Sequence, residues 1–226
     1  MKKTRNNYLN VGAHGHHAFP IFMHDISHWY GTQISNMRTM KPVSRILIFL
    51  CAMAMIPSLF MSVWQIQLEA PQYPEGLKLE LWSNKIAGDI DKINGLNHYI
   101  GMDQIHQENF KEFKVMSYLI WAMIGLAVLG AATGKKIFLW ILSIYLFACG
   151  IWGTYDFWHW EYIYGHNLNP HAAIKIPGMA YQPPLFGWKQ LLNFTAGSFP
   201  DIGGWLIIGP SILIIFILIY EKFIRK

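Results

Sequence analysis

Four apolar stretches constrain this chain before any other feature does. Ile46 to Trp64 runs nineteen residues without a charge, and Val115 to Ala132 runs eighteen. Ile137 to about Phe157 forms a third stretch, and Gly204 to Tyr220 a fourth. A helix rises 1.5 Å per residue, so about twenty residues cross a hydrocarbon core of roughly 30 Å. Inside that core every backbone N–H and C=O must be paired within the segment, which predicts a helix for each stretch. The expected fold class is an all-α integral membrane protein with four transmembrane helices. Two long loops, 65–114 and 158–203, join them, and a polar segment, 1–43, precedes the membrane domain, 44–226. Composition agrees: 14% of residues are charged, against about 25% in an ordinary soluble domain.

The placement of charge predicts orientation. The tail through Arg45, the turn 133–136 and the C-terminus carry eleven of the eighteen Lys and Arg residues, and the two long loops carry seven. The positive-inside rule then puts both termini in the cytoplasm and both loops outside. The expected location is the bacterial cytoplasmic membrane, with the lipid bilayer as one partner. The net charge of +5 is accounted for by these segment ends, and no nucleic-acid-binding signature is present.

Within the first loop, Leu77 to Trp82 alternates apolar and polar residues, the period of a short strand. Asp89 to Ile100 reads as a short helix with Ile90, Ile93 and Leu96 at helical spacing. Asp103 reads as the N-cap of a helix that runs into the membrane. Pro57 and Gly209-Pro210 read as kinks, and Trp64 as an interfacial anchor. In the N-terminal segment, His14, His16, His17, His24 and His28 belong to a polar tail joined to an interfacial helix. Cys51 and Cys149 lie in apolar runs without a CxxC and read as small buried hydrophobes.

The chemistry concentrates in two places. Tyr155 to His171 holds Asp156, His159, His166 and His171, with Met179 a little beyond. Asp156 and His159 are three residues apart, so they share a helix face. A carboxylate with imidazoles suits Cu²⁺ or Zn²⁺, and a nearby methionine favours Cu⁺. Glu161 reads as an outer partner that orients an imidazole. The second constellation is His98, Met102 and His106, each four residues apart, a stripe of soft and borderline ligands if the helix is continuous. Both fall on the same predicted side of the membrane, so one site could draw on both loops. The competing reading is that these histidines are interfacial anchors and loop hydrogen-bonding groups. No Walker A, GxSxG, HExxH or dinucleotide fingerprint occurs. The spans also lack the paired histidines that would hold a transmembrane haem.

Several segments carry a resemblance. They are Pro74-Glu-Gly-Leu77, Gly88-Asp-Ile90, Ile93-Asn and Leu96-Asn-His-Tyr-Ile-Gly-Met102, then Tyr164-Gly-His-Asn-Leu-Asn-Pro-His-Ala-Ala-Ile174 and Pro177-Gly-Met179. Together they resemble a four-helix membrane family associated with bacterial gene clusters for nitrous oxide reductase, a periplasmic copper enzyme. The resemblance covers the chain from about residue 45 onward. It implies a copper-binding accessory protein that delivers copper to such a periplasmic protein or aids its maturation. Locally, Asp156, His159 and His171 are similar to the copper-binding helix of the membrane subunit of particulate methane and ammonia monooxygenases, though the Asp-to-His spacing here is shorter. Two alternatives stand beside this reading. One is a redox subunit of a membrane complex, either copper monooxygenase-like or linked to quinol. The other is a metal-free scaffold subunit.

Overall fold

The structure, a computed structural model, describes residues 39–224; the histidines of the N-terminal segment lie outside the described residues. Among the described residues, four helices are long and apolar enough to cross a membrane. The first is α1, Pro42–Met55, which tightens at Pro57 into a 3₁₀ turn, Ile56–Phe60. A proline has no N–H for the ladder, and the tighter turn absorbs the lost bond. A short helix α2, Ile90–Ile100, lies between the first span and the second. The other spans are α3, Phe113–Thr133, α4, Lys136–His166, and α5, Ile202–Ile219, which ends in a π turn at Tyr220–Ile224. The second span starts at Phe113 with Glu112 in the N-cap position, not at Asp103.

The all-α expectation is overturned by a five-stranded antiparallel sheet built from the two long loops. Its strands are β1 Ser62–Ala70, β2 Tyr73–Trp82, β3 Ile86–Gly88, β4 Gly187–Leu191 and β5 Phe194–Pro200, in the order β3-β2-β1-β5-β4. Leu77 to Trp82 is strand as its alternation predicts, within the longer β2. Val63 and Trp64 belong to β1 and not to the first span, and the Trp64 Nε1–H donates to Ser198 Oγ at 2.8 Å. The central pairing joins β1 to β5, with Leu68 opposite Ala196 and Ile66 opposite Ser198. A two-stranded hairpin alone is marginal in water, and the three inner strands together bury a face. Ile66 pairs with Leu79 and Leu68 with Leu77, which makes that face apolar.

Two cores result. One lies among the spans, around Ile48, Met55, Ala127, Leu142 and Ile214. The other lies between the sheet and α2, around Ile66, Leu77, Leu79 and Ile93, with Trp160 and Tyr164 of α4 packed in. α4 reaches both because it is 31 residues long, about 46 Å at 1.5 Å per residue. A bilayer core of about 30 Å accommodates the part up to about Phe157. The remainder, Trp158–His166, projects beyond it against the sheet.

At the opposite end of the bundle, polar contacts tie the spans together. Arg45 donates from Nε and Nη2 to the carbonyls of Ala131 and Ala132, both at 2.8 Å. It thereby satisfies the last turn of α3, where carbonyls lack helical partners. Buried Glu221 accepts from the Lys41 N–H and the Ser44 hydroxyl, each at 2.8 Å, and pairs with Lys136 Nζ at 3.3 Å.

Candidate functional site: a loop seam over an apolar cavity

The two loops singled out by their histidines meet. α2 ends at Gly101, which is left-handed at φ 83°. Asn97 then accepts the Met102 N–H through its backbone carbonyl at 2.9 Å, closing the helix. Backbone bonds join this turn to the second loop: Asn169 N–H to Gly101 O at 2.7 Å, and Ile174 N–H to Tyr99 O at 2.9 Å. A Cβ on Gly101 would lie 2.8 Å from the Ala172 Cβ, so only glycine lets the loops approach this closely. One seam therefore holds His98 and Met102 on one side and His171 on the other.

The structure does not gather the full set of candidate ligands. Among the described residues no three His, Cys, Asp or Glu side chains lie close enough to hold a metal together. Asp156 is half-buried on α4. His159 is exposed, its ring stacked on Tyr155 at 5.9 Å. His166 ends α4, with Nδ1 2.9 Å from the Tyr162 carbonyl and its ring stacked on Tyr162 at 4.0 Å. His159 and His166 are about 10 Å apart along the axis, too far to share an ion whose imidazole bonds are about 2.0 Å. His171 is exposed in the loop, its N–H donating to Asn169 Oδ1 at 2.8 Å. His98 is exposed, edge-on to Tyr99, and Met102 is half-buried. His106 falls beyond the end of α2, with Nε2 3.2 Å from Gln104 Oε1, so the continuous stripe is broken at Gly101. Met179 is half-buried in a turn closed by its N–H to Ile176 O.

Behind the seam lies a cavity of about 960 Å³, lined mainly by apolar residues. The sheet contributes Ile66, Leu68 and Leu79, α2 contributes Ile93 and Leu96, and the second loop contributes Tyr181. α4 contributes Trp160, Glu161 and Tyr164. Glu161 and Gly165 are four apart, on one helix face. The absent side chain at Gly165 lets the backbone of Gln182 lie against the helix, and Tyr181 N–H donates to the Gly165 carbonyl at 2.9 Å. This close approach puts the loop over Glu161.

Glu161 is 0% exposed. Neither of its carboxylate oxygens has a hydrogen-bond partner among the described residues, and the same holds for the Tyr181 hydroxyl and Trp160 Nε1. The expected role of Glu161 as a partner for an imidazole is thus replaced by a place in the cavity wall. Burial pushes its carboxyl up to about 8, and the positive charge of Lys189, on β4, pulls it partly back. Lys189 Nζ donates to the Gln182 carbonyl at 3.0 Å, at the edge of the same loop. The sign of the pH effect follows. Between about pH 4.5 and 8 the folded protein holds a proton that the unfolded chain has lost, so stability falls as pH rises through this window. A pH series of Tm should show a slope that is flatter in Glu161→Gln; equal slopes would show that Glu161 keeps its charge.

Sequence reasoning assigned no site role to Tyr164 or Asn97, which join Glu161 and Tyr181 in the wall. The available signal was a lone acid in an aromatic helical stretch, Trp160-Glu-Tyr-Ile-Tyr164, facing Gly165 one turn on.

These features define the class: a four-helix membrane protein whose loops fold into a sheet-based lobe enclosing an apolar cavity. No protein-family model matches the chain, and no curated protein matches it.

Proposed function

We propose that the protein is a copper-handling accessory protein that works outside the cytoplasmic membrane. It would offer copper to a periplasmic copper protein such as nitrous oxide reductase. The reading draws on the sequence resemblance, and the observation that carries it is the seam. The segments that hold His98 and Met102 on one side and His171 on the other are hydrogen-bonded to each other. Imidazole with thioether is a donor set suited to Cu⁺. A delivery protein needs a coordination sphere that a partner can complete, and exposed His98 and His171 beside a half-buried Met102 meet that requirement better than a closed cage. The Lys and Arg asymmetry supports an outward-facing lobe.

The test is the copper content of the detergent-purified protein after loading with Cu⁺. The parent is expected to retain about one ion per chain, and a His98→Ala, His171→Ala double variant is expected to lose it. His159→Ala should retain copper, because that ring packs on Tyr155 away from the seam. Unchanged copper in the double variant would sink the proposal.

A further inference from the structure

The cavity behind the seam shares Met102 with the copper reading, and its wall has an unusual cost. A buried carboxyl without a partner destabilises a fold, and an apolar residue of similar size would not. Glu161, Tyr181 and Trp160 all line this one cavity, and among the described residues the carboxyl, the hydroxyl and Nε1 each lack a hydrogen-bond partner. Partners supplied by a bound molecule would remove the cost.

The lining narrows the class of molecule. Most of it is aliphatic and aromatic, and the remaining polar side chains are amides such as Asn97 and tyrosine hydroxyls. Among the described residues no lysine, arginine, histidine or aspartate lines it. The volume, about 960 Å³, suits a ligand of drug size or somewhat larger. A neutral carboxylic acid donates one hydrogen bond and accepts others. Its best match is a group that also does both, which is a hydroxyl. A cationic head is a poorer fit, because it brings a second charge into an apolar space.

We propose that this cavity binds a neutral amphiphile with an apolar body and a hydroxyl-bearing head of the alcohol, phenol or hydroquinone type, the hydroxyl seated on Glu161 and Tyr181. Glu161 accepts from and donates to the head, and Tyr181 supplies a further donor. The aliphatic face of the sheet and of α2 encloses the body. Binding is the whole of the proposal; it assigns no reaction.

The experiment uses the full chain in phosphatidylcholine nanodiscs, with decylhydroquinone, kept reduced, as the probe. Decylbenzene serves as the apolar comparator and decylamine as the cationic one. The parent is expected to bind decylhydroquinone saturably, one per chain, at least about tenfold tighter than decylbenzene or decylamine. Glu161→Leu should bind the probe about tenfold more weakly, with a probe-free Tm at or above that of the parent. Glu161→Gln, which still donates and accepts, should stay within about threefold of the parent. Absence of saturable binding by the parent overturns the proposal, as does equal binding by Glu161→Leu or a preference for decylamine. A Glu161→Leu chain that fails to fold also overturns it, since the carboxyl would then be holding the structure. Copper retention by the seam is read separately and does not enter any of these outcomes.

Discussion

Glu221→Ala is expected to cost about 3–5 kcal/mol, the usual loss when one partner of a buried ion pair is removed. The carboxylate is 2% exposed and joins three elements. Its oxygens take the Lys41 N–H and the Ser44 hydroxyl from the start of α1, and the Lys136 ammonium from the start of α4. Removing it strips the acceptor from a backbone donor and a hydroxyl and takes the carboxylate from a half-buried ammonium that also donates to the Glu221 carbonyl at 3.0 Å. The loss should appear as a Tm lower by about 10 °C in detergent. Glu221→Gln keeps an acceptor and loses the charge, so its loss should be smaller. The lobe at the other end does not touch this cluster, and ligand binding there should survive at low temperature. A Tm within about 2 °C of the parent for Glu221→Ala would show that water replaces the carboxylate at no cost.

Gly101→Val is expected to open the seam at a cost of about 3 kcal/mol. A left-handed backbone costs an L-residue about 1–2 kcal/mol, and a β-branched one is a poor occupant of that region. The added carbon also meets Ala172 and the Asn169 backbone at 2.8–3.1 Å, and overpacking adds roughly 1–3 kcal/mol. The effect should be local first. The amides of Asn169 and Ile174, which bond across the seam, should exchange hydrogen faster. Trypsin should cut sooner after the exposed Lys175. Gly95→Ala supplies the control. Gly95 sits on α2 with nothing within 4 Å of its would-be Cβ, so alanine there should stabilise by about 0.5–1 kcal/mol. Slow exchange at Asn169 and Ile174 in Gly101→Val would remove the seam as a structural joint.

The number of spans and their places were legible because each is a local property. The uncharged run from Ile46 favours a helix as far as Phe60 whatever the rest of the chain does, since a bilayer offers no partner for the backbone. The strand at Leu77–Trp82 and the helix from Asp89 to Ile100 were legible for a similar reason, through period-2 and period-3.6 spacing. The sheet was not. β1 begins at Ser62, two residues after the 3₁₀ turn that ends the first span, and its Val63-Trp64 prolongs the same apolar run. β5, Phe-Thr-Ala-Gly-Ser-Phe-Pro, lacks alternation and earns its place only by pairing with β1, more than 120 residues earlier.

The stretch from Asp156 to His171 shows the same division. Sequence alone determined that its histidines and acids follow an apolar run and that His98 and Met102 belong to the companion loop. Tertiary structure decided what those facts amount to. Helix α4 continues to His166, which spreads His159 and His166 along an axis instead of folding them around one point. Gly101 and Gly165 let two backbones close in, which joins His171 to the His98 turn and lowers Tyr181 over Glu161. Which side chains meet depends on where a rigid helix ends and where a missing Cβ permits contact. Both are settled by three-dimensional packing, and spacing in the chain cannot report them.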